Sequence, residues 1–352
     1  MEQIAPSPPA AMESRIEHEH VVFVLTAGEK RLFFATEPSV GKLAARETFV
    51  DAEKMPPAEW EALLRQLRPS ILVTAWSCPE LPLAWGLEED CPLRYVCSVT
   101  GSVKPRVPRP LMVNGLLVTN WGTLVSRAVA EHAMLMALGL LRSVPGWRGL
   151  IENSQGVFET ARRLQTRTLY GKRVGLHGFG AVARELVNLL RPYGVDVAAY
   201  SQGVPGGLME EYEVRPCASL RELFTRSEVV FECEGLTPAT TGSVTRELLE
   251  LLPPDAVFVN VARGALADED ALADLAGAGR IRLGLDVFQN EPLPPDSPLL
   301  HEPRILLSPH IAGPTWETYP RCGAQALENL ATYLQGGTPG HRVTLESYDR
   351  AT

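Results

Sequence analysis

"GKRVGLHGFGAVARELVNLLRPYG", residues 171–194, decides how this chain is built. It opens on a run that reads as a β-strand and turns through Gly178 and Gly180. It then enters a stretch in which Val182, Leu186, Leu189 and Leu190 fall on one helical face. With Ala183 in third place the spacing is G-x-G-x-x-A, and each small residue has a physical reason. Gly178 permits the tight turn, Gly180 lets backbone approach a pyrophosphate, and Ala183 lets helix and strand pack closely. The helix N-terminus would face the phosphates with unpaired N–H groups. Glycines also make plain turns, but the second strand that follows, "VDVAAY" (195–200), completes a β-α-β unit and favours a dinucleotide.

At the end of that second strand an NAD site commonly carries Asp or Glu for the ribose 2′-OH. This chain has Ser201 and Gln202 there. Ser201 can hydrogen-bond a hydroxyl but does not repel a 2′-phosphate, and no arginine follows immediately to attract one. The cofactor expectation is therefore NAD or NADP, with the preference open.

Outward from this motif, short branched apolar runs alternate with helical patterns, as in parallel sheets with crossover helices. A first series holds "VVFVLT" (21–26), "SILVTA" (70–75), "RYVCS" (94–98) and "LLVTN" (116–120), with an amphipathic helix from about Pro57. The second runs from "KRVGLH" through "VDVAAY", "EVVFEC", "AVFVNVA" and "LGLDVF" to "RILLSPH", with "TRELLELL" (245–252) and "DEDALADLAGAGR" (268–280) read as helices. A length of 352 residues lies beyond what one core usually serves, so two α/β units are expected.

Net charge is −9, and lysines and arginines are scattered rather than blocked, which disfavours a nucleic-acid surface. The six cysteines show no C-x-x-C pair or disulfide spacing and read as reduced thiols of a cytoplasmic protein. Residues 1–20 lack the apolar core of a signal peptide and read as a flexible tail. The most apolar helix candidate, Ala128 to Leu141, is too short for a bilayer and contains Glu131 and His132, so no membrane association is expected.

In an open parallel sheet, ligands bind beyond the carboxyl ends of the strands. Arg263 follows "AVFVNVA", Asp286 and Glu291 follow "RLGL", and His310 follows "RILLSP", so all share that rim with the Gly178 turn. Alone, each has a bland reading: a solvated arginine, a turn-capping aspartate, a surface glutamate, a packed histidine. His310 has no neighbouring His or Cys at ligand spacing, so no metal site is expected. Their joint placement favours a proton carrier.

The ordered motifs "HGFGAVA", "NVARGAL", "LDVFQNEP" and "SPHIAG" resemble the D-isomer-specific 2-hydroxyacid dehydrogenase family, a likeness that covers nearly the whole chain after the tail. The resemblance implies a Rossmann NAD(P)-binding domain (123–314) inserted into a flavodoxin-like substrate domain (21–122 and 315–352), both doubly wound parallel α/β sheets, with the active site in the cleft between them. It implies that Arg263 holds and polarises a 2-oxo acid, that His310 is the acid/base and Glu291 its partner, and that Asp286 meets the nicotinamide carboxamide. Cofactor contacts would fall on Gly178, Phe179, Gly180, Ala181, Val182, Ser201, Gln202, Ala262, Asp286, His310 and Gly313. It further implies a homodimer and a small 2-hydroxy or 2-oxo acid, such as glyoxylate or hydroxypyruvate, as substrate.

The chemistry needs these residue types independently. Reducing a 2-oxo acid adds hydride to the carbonyl carbon and a proton to its oxygen. Histidine suits the proton, a nearby carboxylate favours imidazolium, and arginine offers a planar fork for carboxylate.

Family members generally bind the substrate carboxylate through a Gly-x-Gly loop, often followed by Asp. The corresponding loop here has Thr100, Gly101 and Ser102, with Lys104 where the acid would stand. Trp76 and Trp121, at strand ends, are expected to pack at the domain junction or line the cleft. Two other readings stay open: a dehydrogenase of formate or phosphite, and a non-catalytic NAD(H)-sensing protein.

Overall fold

The computed structural model describes residues 19–41, 46–152, 156–302 and 304–350. Most of the tail inferred for residues 1–20 lies outside them. The chain divides into two units, one of residues up to Leu124 together with Thr315 onward, the other Val125–Pro314.

The first unit is a five-stranded parallel sheet of β1 (His20–Val24), β2 (Arg46–Val50), β3 (Ile71–Thr74), β4 (Tyr95–Ser98) and β5 (Leu117–Thr119), ordered β2-β1-β3-β4-β5. This is the flavodoxin-like order. Strands β1, β3 and β4 are buried throughout, which is why they read as continuous branched runs. Strand β2 carries no such signal, because "RETFV" is a polar edge strand that is largely solvent-facing. Thr26 starts the Ala27–Phe33 helix as a capping box: its hydroxyl accepts from the Glu29 N–H, and the Glu29 carboxylate accepts from the Thr26 N–H at 2.9 Å. The Tyr319–Leu334 helix lies across it, and a Cβ on Gly323 would collide with the Phe33 carbonyl. Farther on, Val343 N–H donates to Val118 O at 2.8 Å and Asn120 N–H to His341 O at 3.2 Å, so the returning chain zips onto β5.

The second unit is a seven-stranded parallel sheet: β6 (Arg173–His177), β7 (Asp196–Tyr200), β8 (Arg215–Pro216), β9 (Val229–Glu232), β10 (Ala256–Asn260), β11 (Ile281–Leu285) and β12 (Ile305–Leu307). Its order is β12-β11-β10-β9-β6-β7-β8, so the winding reverses between β6 and β9, beside the glycine turn. The Ser126–Leu141 helix packs Ala133, Met136, Ala137 and Leu140 against the Ala181–Leu190 helix and strands β10 and β11. Leu186 and Leu190 are fully buried there, each stabilising the fold by about 2 kcal/mol. The helix expected over 245–252 is confined to Arg246–Leu249, whereas the next spans Glu269–Gly277 and ends before Gly279, which sits at φ +69°. No helix among the described residues is long and apolar enough to cross a membrane.

Candidate active site

The glycine turn follows β6 directly. Gly178 adopts φ +93°, and a Cβ there would stand 2.6 Å from the Cys233 carbonyl carbon and the Glu234 nitrogen, so only glycine fits. Gly180 caps the Ala181–Leu190 helix with no side chain over it, and a Cβ there would meet nothing within 4 Å. The N–H groups of Ala181 and Val182 in the first turn donate to no partner among the described residues, as at a bare helix N-terminus. Phe179 turns its ring into the core against Tyr212, at 2% exposure, so its backbone is what remains for a ligand. Beneath the turn His177 and Glu232 form a buried pair, Nδ1 to Oε2 2.6 Å. Burial opposes the charge on His177, yet the Glu232 carboxylate holds its pKa above the ordinary value. Ser201 is buried and hydrogen-bonded, whereas Gln202 is exposed.

The other rim residues come together around β10, β11 and β12. Asn260, 1% exposed at the end of β10, clamps the next loop: its Nδ2 donates to Arg263 O at 2.9 Å and its Oδ1 accepts from the Ala262 N–H at 3.0 Å. The Arg263 guanidinium is anchored by Nη1 donating to Ala262 O at 2.6 Å. Burial draws its pKa below the ordinary value, partly countered by the Glu291 charge, so the two side chains feel one another. Gly264 holds the loops in register, since a Cβ there would collide with the Phe288–Gln289 backbone.

Glu291 meets His310 Nδ1 at 2.6 Å through Oε2 and accepts from the Phe288 N–H at 3.0 Å through Oε1. Burial pushes its carboxyl up, but the hydrogen bonds from His310 and Phe288 and the charges of His310 and Arg263 outweigh it and hold the pKa below the usual range. His310 sits at φ +53°, a region a non-glycine residue enters at some cost. Asp286 holds it there. At 1% exposure, its carbonyl accepts from the His310 N–H at 2.8 Å and its carboxylate from the N–H groups of Ile311 and Ala312, both at 2.9 Å. Ser308 Oγ also donates to Asp286 Oδ1 at 2.6 Å and contacts His132 Nε2 at 2.8 Å. Asp286 is thus first the support of the His310 loop, with little acceptor capacity left for a ligand. Gly313, next along, is partly exposed with open space beside it.

In the other unit Thr100 is fully buried, its hydroxyl 2.9 Å from Ser98 Oγ. Gly101 has no room for a Cβ against the Trp121 indole. The N–H groups of Gly101 and Ser102 have no partner among the described residues. Lys104 points elsewhere: its Nζ lies 5.8 Å over the Tyr348 ring and donates to Asp349 O at 3.4 Å. The buried cation under the loop is Arg106, which donates to Ser102 O at 3.1 Å and Trp76 O at 3.0 Å. Trp76 and Trp121 meet edge-on at 6.4 Å, and Trp76 also packs with Phe33 and Tyr319.

Strand order and glycine turn place the Val125–Pro314 unit among the dinucleotide-binding α/β folds. The chain belongs to the D-isomer specific 2-hydroxyacid dehydrogenase family: the family model for the NAD binding domain of these proteins matches residues 134–312. It is 30% identical over 223 residues to a D-3-phosphoglycerate dehydrogenase of Methanocaldococcus jannaschii, a match that takes in 63% of this chain and 42% of that one. This chain thus spans less than half the length of that relative. It is 28% identical over 239 residues to a glyoxylate reductase of Pyrococcus furiosus, covering 66% of this chain and 70% of that one. A solved glyoxylate reductase from Paecilomyes thermophila shares the fold with a TM-score of 0.76 at 22% identity, covering 93% of this chain and 99% of that one.

A nicotinamide dinucleotide fits the residues present. The backbone cradle at Gly178 and Gly180 admits no side chain on one side and is open on the other, at an uncapped helix N-terminus.

Proposed function

We propose that the chain is an NAD(P)-dependent oxidoreductase that interconverts a small 2-hydroxy acid and its 2-oxo acid. In this reading Val125–Pro314 is the dinucleotide domain and the other unit the substrate domain. The carrying observation is the His310–Glu291 pair, 2.6 Å apart, with the Arg263 guanidinium beside it on the rim that holds the glycine turn.

The bound nicotinamide supplies or accepts the hydride. The chain's own residues do the rest. Nδ1 of His310 is committed to Glu291, which turns Nε2 toward a ligand; as imidazolium it donates a proton to the carbonyl oxygen during reduction and, as imidazole, takes one from the hydroxyl during oxidation. Arg263 offers parallel N–H donors to the 2-oxo acid and positive charge where alkoxide develops. Gly101 and Ser102 offer backbone N–H groups to a carboxylate. Glyoxylate and hydroxypyruvate are the substrates this reading favours, in a cytoplasmic homodimer.

The deciding measurement follows reduced-nicotinamide absorbance with NADH and NADPH against glyoxylate, hydroxypyruvate, pyruvate and bulkier 2-oxo acids. Turnover of at least one acid is expected; cofactor binding without turnover across the panel favours a sensor instead. The Glu291–His310 contact gives a second test. Glu291 Oε2 meets Nδ1 of His310 at 2.6 Å and so orients the ring. Glu291→Gln keeps the shape but removes the carboxylate that orients the ring, and is expected to lower the reductive kcat by about 10²-fold; an unchanged kcat would separate the two residues.

A further inference from the structure

The reading above leaves NAD and NADP undecided, and the structure supplies a group at the deciding position that comes from an unexpected strand. In this fold the adenine-side ribose lies over the end of the strand after the glycine turn, where an acid accepts from its 2′-OH. That strand is β7, and its successor residue is the uncharged Ser201. A carboxylate nonetheless reaches this place: Ser201 Oγ donates at 2.7 Å to Oε2 of Glu234, two residues past the end of β9. Strands β7 and β9 are the two neighbours of β6. A side chain leaving β9 for Ser201 must therefore pass over the end of β6, where the glycine turn stands.

Glu234 is fixed at both ends. Its N–H donates to Glu232 Oε1 at 3.0 Å, and Glu232 is itself buried on His177, while its backbone presses on Gly178. Of its carboxylate oxygens, Oε2 accepts from Ser201 and Oε1 from the Gly235 N–H at 3.0 Å. A carboxylate has about four acceptor positions, so about two remain, which suits a vicinal ribose diol. Among the described residues Glu234 forms no ion pair with lysine or arginine, so its charge is left for whatever sits over Ser201.

We infer that Glu234, oriented by Ser201, selects NAD(H) over NADP(H). This rests on the cofactor reading above. A 2′-phosphate placed there sets like charges face to face, which costs affinity, whereas a 2′-OH donates a hydrogen bond.

The test is direct titration of the full chain with NADH and NADPH, read by nicotinamide fluorescence or calorimetry without substrate. Wild-type protein is expected to bind NADH about 10-fold to 100-fold more tightly than NADPH, the discrimination one like-charge contact gives. Glu234→Gln keeps the shape and removes the charge; it should narrow the ratio by about 10-fold or more, chiefly through tighter NADPH binding, a gain that a damaged fold cannot produce. Ser201→Ala should narrow it less. Equal affinities in the wild type, or an unchanged ratio in Glu234→Gln, overturn the inference and leave the dinucleotide site standing. Failure of both nucleotides to bind overturns the cofactor reading and this inference together.

Discussion

Arg263→Lys is expected to lower kcat/KM for a 2-oxo acid by about 10²-fold to 10³-fold, the cost of removing a donor aimed at a developing oxyanion. The charge is retained, so the loss comes from geometry. The guanidinium is a rigid plane tied to the Ala262 carbonyl and held near Glu291, and it presents its remaining N–H groups in fixed directions. An ammonium is a point charge on a flexible stem that cannot bond an anion through two parallel donors. Steady-state kinetics resolve the effect: a fall in kcat marks an interaction made in the transition state, a rise in KM alone marks ground-state binding. Kinetics within about threefold of wild type would remove Arg263 from the chemistry.

His310→Asn is expected to lower kcat by about 10²-fold to 10⁴-fold, the usual worth of a positioned general acid. Asparagine is the informative replacement because it tolerates the left-handed backbone that His310 occupies at φ +53°, so the loop bonded to Asp286 can persist. Retention of the rate would assign the proton to another group.

Much of this was legible in the sequence because the signals are local. The turn at Gly178 and Gly180 lies between a strand and an amphipathic helix within 24 residues, and buried parallel strands announce themselves as branched runs. Arg263, Glu291 and His310 could be placed on one rim because each follows such a run. Solvent-facing or very short strands send no such signal, and β2, with its charged "RETFV", and the two-residue β8 went unseen. Long-range hydrogen bonds are equally silent. His132 contacts Ser308 across 176 positions, and Ser201 meets Glu234 across 33, so neither the support of Asp286 nor the acid near the ribose position could be read along the chain. Lys104 stands where the resemblance puts an acid in the loop, yet Tyr348 and Asp349 engage it, and Arg106 is the cation turned inward.

The discontinuous first unit sets an order of events during synthesis. Residues up to Leu124 emerge early, but the Tyr319–Leu334 helix that covers the Ala27–Phe33 helix, and the strand segment around Arg342 that seals β5, are translated only after the whole of Val125–Pro314. The contiguous unit can complete its core on the ribosome while the first waits with apolar surface uncovered, which makes the nascent first unit the stage at which a chaperone has most to do.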